Sequence, residues 1–421
     1  MIPYLNFLYF LVLLYPSVPA VLLGFTGGLR LWYVLLATVA MVLLQYGGAF
    51  GAHSAGTLGA VAAFAAYESL LVYVFAALRR GGRRRGLFPA VVVAALLPLC
   101  LVKVGPVLQA HHLLPALLAR ADIGGAAAAR PAGASGSAAA AILGTTAGFL
   151  GISYVTFRFL DVLVGLQDGL HGAPGPGLLL GYAFFFPALS SGPIDRFRRF
   201  AANVRAMPRG RDYAADVDAG LYRIAQGFLY KFVLAELIDR HWLLPLAPFR
   251  DPFHMWLYMY AYTLFLFFDF AGYSAFAIGV SRLFGIRTPE NFAAPFLARN
   301  FKDFWNRWFI TLSWFLRDHV YMRFVLGAAR RRWFRGNRHA ASYVGYMLTF
   351  LAMGFWHGLA PQYIAYGLYQ GVMISANDFL ARWNRRRRLI PDNTLTRGLS
   401  ILATSQFVAF GMLIFSGHLW R

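Results

Sequence analysis

From Trp32 to Tyr67 the chain carries no lysine, arginine, aspartate or glutamate, and Leu87–Val102 is one continuous apolar run. A helix needs about 20 apolar residues to cross a bilayer. Lipid offers backbone amides no partners, so only helices and closed barrels survive there. Such runs restrict the chain to a helical membrane fold. Comparable stretches lie at 3–24, 31–51, 57–78, 87–104, 138–160, 177–193, 219–243, 254–284, 341–359, 361–381 and 397–419, which makes about eleven spans. Composition agrees: 13% of residues are charged and 59% hydrophobic, against roughly 25% and 45–50% in a soluble domain. The expected class is an all-α polytopic membrane protein. The leading run lacks a basic start and another follows at once, so it reads as a retained span rather than a cleaved signal.

The net charge of +22 is almost all arginine, since Lys103, Lys231 and Lys302 are the only lysines. The arginines cluster at 79–85, 196–211, 330–338 and 382–388. Short basic loops stay cytoplasmic, so these four should share one side. Either they only set topology, or they also form a docking face for an acidic partner or anionic lipid head groups. No basic extramembrane domain exists to bind nucleic acid. Cys100, the one cysteine, excludes an intrachain disulfide, argues against a cysteine-rich metal site, and reads as a small buried hydrophobe.

Three parts follow along the chain: N-terminal spans over 1–120, an Ala/Gly/Ser-rich flexible loop over 121–140, and a core over 141–421. From Leu150 onward, spans mix with polar and proline-bearing stretches, and a strict alternation of sides fails. Residues 177–193 and 301–318 are therefore candidates to enter and return, or to lie in the interface. Irregular backbone at that depth must be buried in protein or line a cavity.

Ionisable groups at membrane depth are costly and mark either structure or function. In "GFWHG", His357 sits between glycines at 354 and 358. Its imidazole can take a proton from a hydroxyl and return it to a leaving group, or simply hydrogen-bond in the packing. In "FKDFWNRWFITLSWFLRDHVYMRF" (301–324), helical spacing would put Asn306, Phe309 and Ser313 on one face. That segment reads as an interfacial helix or as a cavity wall. Asp269 stands among phenylalanines and must pair, hydrogen-bond or stay protonated. Asp195 and Arg196 form a candidate local ion pair.

Seven ordered motifs, "LGISYVTFR" (150–158), "SGPIDRFRRF" (191–200), "GFLYKFVLA" (227–235), "FFDFAGYS" (267–274), "NFAAPFLARNFKDFWNRW" (291–308), "LRDHVYMR" (316–323) and "MGFWHG" (353–358), resemble the membrane-bound O-acyltransferase (MBOAT) family. Within it they are most similar to the D-alanyl-transferring, DltB-like branch. The resemblance implies helices around a central funnel, and transfer of D-alanine from a phosphopantetheine thioester on a small acidic carrier protein to an envelope polymer such as teichoic acid. It implies His357 as the catalytic residue, with Trp305, Asn306, Asp269 and Trp356 along the substrate tunnel. It also implies carrier docking at Arg323, Phe324, Val325 and Leu326, followed by Arg330 and Arg331. No metal or bound cofactor is expected, because the carrier supplies the 4'-phosphopantetheine. A small single-span peptide and an envelope D-alanyl-transfer protein are compatible further partners, and the expected location is a bacterial inner membrane. One departure stands out: the family's "WNRWH" is "WNRWF" here, so Phe309 replaces a second histidine. Two rival readings stay open, polysaccharide O-acetylation on the same scaffold and a transporter or flippase in which His357 relays protons.

Overall fold

The computed structural model describes residues 11–12, 14–22, 27–47, 55–80, 85–110, 151–206, 208–388 and 390–420. The 121–140 stretch and most of the first run lie outside them. Among the described residues there is no strand beyond one antiparallel bridge between Phe292 and Trp308. The apolar runs whose residues are described become helix, 177–193 only in part, and the helices gather into two compact units.

The N-terminal unit comprises Met1–Ser191 with Arg196–Met207. It holds α1 (Ser17–Leu22), α2 (Gly27–Tyr46), α3 (Ala55–Arg80), α4 (Phe88–Ala110), α5 (Ile152–Asp168), α6 (Pro176–Ala183) and α7 (Phe197–Arg205). Cys100 lies exposed on α4, correcting its reading as buried. Residues 177–193 do not cross: α6 has 8 residues and gives way to a single turn at Phe186–Ala188. At 1.5 Å per residue α6 rises only about 12 Å. The turn is held by Arg158, 1% exposed, which donates to Ala183 O at 3.0 Å and to Ala188 O. A guanidinium buried so deeply must spend its protons on carbonyls, which accounts for the arginine in "LGISYVTFR". Arg196 finds Asp161 at 2.8 Å, and the same carboxylate accepts the Phe197 amide at 2.8 Å where α7 begins.

The C-terminal unit comprises Gly192–Asp195 with Pro208–Arg421. It opens with α8 (Gly210–Phe228), whose axis continues through π-helical turns at Leu229–Ala235 and Asp239–Leu243. Next comes α9 (Pro252–Leu283), started by Asp251, which accepts the His254 amide, and by Pro252 in the first turn. The two helices meet at glycines: a Cβ on Gly279 would stand 2.7 Å from Gly220 O. Then follow α10 (Phe301–Trp305), α11 (Ile310–Leu316), α12 (Met322–Arg330), α13 (Arg338–His357), α14 (Pro361–Arg387) and α15 (Thr394–Ser416). Asparagines cap three of these starts: Asn300, Asn337 and Asn393 each accept amides of the first turn.

Among the described residues, four helices are long and apolar enough to cross a membrane: Gly56–Arg80, Phe88–Gly105, Pro252–Leu283 and Thr394–Ser416. The first two bury 33% and 11% of their apolar windows, whereas Pro252–Leu283 buries 61%. The N-terminal spans thus keep broad apolar faces for lipid, while α9 is a packing axis.

Candidate functional site

The segment 291–311 is irregular backbone apart from the short α10, and its groups are paired internally. Ala293 donates to Arg307 O at 2.9 Å and Ile310 donates to Asn291 O at 2.9 Å. The Asn291 side chain, fully buried, accepts from Thr311 Oγ1 at 2.6 Å and donates to Ser274 Oγ on α9 at 3.0 Å. Thr311 in turn accepts the Ile194 amide at 3.0 Å. This pairing breaks the helix expected over 301–318. α10 stops at Trp305, and Phe309 turns left-handed at φ 43° before α11 starts. Asn306, Phe309 and Ser313 therefore do not share a helical face.

The turn separates polar from aromatic work. Arg307 is neutralised by Asp303 at 2.7 Å. Trp305, Asn306 and Ser313 face a cavity of about 380 Å³ that Lys302, Arg317, Tyr321 and Met322 also line. Phe309, 5% exposed, points elsewhere, with its ring 4.6 Å from Phe270 and 6.2 Å from Trp356. The position that would hold the family's second histidine is thus an aromatic wedge against the neighbour of His357.

His357 is the last residue of α13. Its ring is boxed by Trp356 at 4.5 Å, Phe415 at 4.8 Å and edge-on, Tyr363 at 6.0 Å and nearly parallel, and Tyr366 at 6.4 Å. Close approach of α14 makes the box. A Cβ on Gly358 would stand 2.8 Å from the Tyr363 ring, and one on Gly354 would stand 2.5 Å from Tyr363 O. Met353, one turn before His357 on α13, lines the cavity, and His357 itself is not among its lining residues.

The tunnel residues named from the sequence do not all meet. Trp305 and Asn306 share the cavity, and Trp356 adjoins His357. Asp269 lies apart on α9 and forms an ion pair with Lys231, 7% exposed, on the π-helical stretch after α8. Pairing, the first alternative open to that carboxylate, is the one realised.

The expected docking residues lie along α12. Met322 and Tyr321 belong to the cavity wall, and Arg323, Phe324, Val325 and Leu326 continue the helix outward. Leu326 is 49% exposed, and Arg330 and Arg331 are exposed at the helix end. Beyond it, three non-glycine residues adopt left-handed backbone: Arg332, Phe334 and Arg335. That turn folds Trp333 and Phe334 back on Phe324, at 6.2 and 6.4 Å, with the Arg331 guanidinium 5.4 Å over Trp333. Sequence reasoning missed Trp333, Phe334, Tyr363, Tyr366, Gln370 and Phe415. The aromatic run after "RRR" was a signal for the first two, but nothing local marked the others.

A family model described as MBOAT, membrane-bound O-acyltransferase family, matches residues 152–412. The teichoic acid D-alanyltransferase of Bacillus subtilis (strain 168) is 38% identical over 99% of this chain and 98% of its own. That of Streptococcus thermophilus is 40% identical over 64% of this chain and 69% of its own. The probable alginate O-acetylase AlgI of Pseudomonas syringae pv. tomato is 34% identical over 54% of this chain and 42% of its own.

Proposed function

The chain belongs to the membrane-bound O-acyltransferase family, and we propose that this multi-pass acyltransferase esterifies hydroxyls of a cell-envelope polymer with D-alanine delivered as a carrier-protein thioester. Family membership sets aside the transport reading. The observation that carries the finer reading is the continuity of α12: one helix runs from an exposed apolar and arginine-rimmed patch into the wall of a cavity that Met353, one turn before His357, also lines. An acidic carrier would dock on Phe324, Val325 and Leu326, with Arg323, Arg330 and Arg331 supplying opposite charge. Its phosphopantetheine arm suits the cavity, where Lys302 and Arg317 can meet a phosphate and Asn306 can meet amides or the thioester carbonyl.

In the reaction so read, the His357 imidazole takes the proton of the acceptor hydroxyl. The oxygen attacks the thioester carbonyl carbon, the C–S bond breaks, and the imidazolium returns its proton to the departing thiolate. The ring box fixes where the imidazole points, which is the orientation a general base needs. Trp356 belongs to that box, and Trp305 shapes the cavity wall. Asp269 is assigned no step, because its charge is committed to Lys231. The resemblance to AlgI favours a second reading, O-acetylation of a polysaccharide. Location in a bacterial inner membrane follows from the cytoplasmic carrier and the external polymer.

The test is transfer of labelled D-alanine from loaded carrier to membrane acceptor. The native protein should transfer it, and His357→Ala should lose at least about 100-fold of rate, as removal of a general base costs. Native protein that refuses every carrier-bound aminoacyl group but accepts acetyl would replace this reading with the second one.

A further inference from the structure

We propose that Gln370 is a positioning residue: its side-chain carbonyl fixes the Trp305 indole and so keeps open the cavity that Met353, one turn before His357, also lines. The role in catalysis rests on the transfer reading above; the effect on the cavity does not. Gln370 lies on α14, fully buried, and its Oε1 accepts from Trp305 Nε1 at 3.3 Å. Its Nε2 has no hydrogen-bond partner among the described residues. The amide is closely packed by α15: a Cβ on Gly411 would come within 2.7 Å of Gln370 Nε2. The indole N–H is the donor this carbonyl meets, with the Tyr366 hydroxyl one turn back bearing on the same amide.

The place of Gln370 on α14 gives that bond its reach. One turn back, Tyr366 lies 6.4 Å from the His357 ring and 5.1 Å from Phe415. One turn forward, Ile374 lines the cavity. Trp305 itself is wedged against Phe350 at 5.1 Å and Phe304 at 5.5 Å, with the cavity on its free side. A buried indole N–H stripped of its acceptor is costly. With apolar rings on two sides, the move that relieves it is a turn into the cavity, toward the side chains of Asn306 and Ser313. The cavity would then be filled by the protein's own tryptophan.

The test reads the cavity directly. In full-length protein carrying Cys100→Ala and Ser313→Cys, the rate of labelling by a small maleimide reports access. Gln370→Leu should slow that rate about tenfold, the equivalent of one unmet buried hydrogen bond. Gln370→Glu keeps an acceptor and should restore labelling. In a Trp305→Phe background, where no N–H needs a partner, Gln370→Leu should add nothing. In the transfer assay, Gln370→Leu should raise KM for loaded carrier about tenfold while kcat holds, since the chemistry at His357 is untouched. Unchanged labelling in Gln370→Leu, or slowing that persists in the Trp305→Phe background, overturns the proposal. Because labelling needs no acyl transfer, an inactive native protein would refute the transfer reading and leave this inference decided on its own terms.

Discussion

Phe309 is costly by backbone and valuable by side chain, and the two contributions can be separated. Left-handed backbone costs an L-residue roughly 1–2 kcal/mol that glycine does not incur, while deleting a buried phenylalanine ring costs about 3–5 kcal/mol. Phe309→Ala should therefore lower thermal stability in detergent more than Phe309→Gly does, although glycine is the smaller residue. Equal losses would mean that the turn at φ 43° carries no strain. Phe309→His should fold well, since histidine tolerates this backbone region better than most residues. A second residue-scale test concerns Lys231 and Asp269. Removing the carboxylate leaves a nearly buried ammonium without its counter-ion, so Asp269→Leu should cost about 2–4 kcal/mol. The double variant with Lys231→Met should recover part of that loss, and additive losses would show that the pair is not coupled. At this scale the sequence marked His357, Trp305 and Asn306 as candidates, because each sits in a short local motif. It hid Gln370, Tyr363 and Phe415, neutral residues that reach the site only because α14 and α15 return beside α13.

Elements were legible where apolar length decides and obscure where long-range pairing overrides it. Apart from 177–193, which is helical only in part, the described portions of the spans from Gly27 onward appear as helices near their expected places, since burying an unbroken apolar run leaves the backbone no other choice. The 301–318 stretch looked like one helix and is two. Asn291 and Ala293, some residues upstream, take up Ile310 N–H and Arg307 O and force the turn between them. No period in 301–318 could reveal a partner outside it. On α12 the pattern was readable, but its completion was not: the left-handed turn at Arg332–Arg335 is what lays Trp333 on the patch. If α12 docks an acidic carrier, Arg330→Glu with Arg331→Glu should slow association and weaken its dependence on ionic strength, while kcat changes little. Association kinetics at low and high salt decide it, and an unaltered salt dependence would move the docking site elsewhere.

For the whole molecule, the arginine loops and the helix directions make one consistent statement within the C-terminal unit. The start of α13 and the end of α14 lie together, joined by Arg382 contacts to His339 and Tyr343. Both ends are basic, so both should be cytoplasmic. In a Cys100→Ala chain, single cysteines at Gly336 and Arg386 should be labelled by a membrane-impermeant reagent in inverted vesicles and protected in intact cells. Opposite labelling of the two would contradict the antiparallel packing of α13 on α14. His357 then occupies the far end of a helix whose first turn adjoins the basic surface, and α13 has 20 residues. At 1.5 Å per residue its axis is about 30 Å long, close to the hydrocarbon thickness of a bilayer. α13 is in this sense a ruler. An acyl group tethered to a short arm would stop at the cytoplasmic rim, and one borne on a long arm would meet the imidazole. Should the donor arrive on a carrier from that surface, the length of its arm would by itself act as a filter, with no side chain assigned to turn away the wrong one.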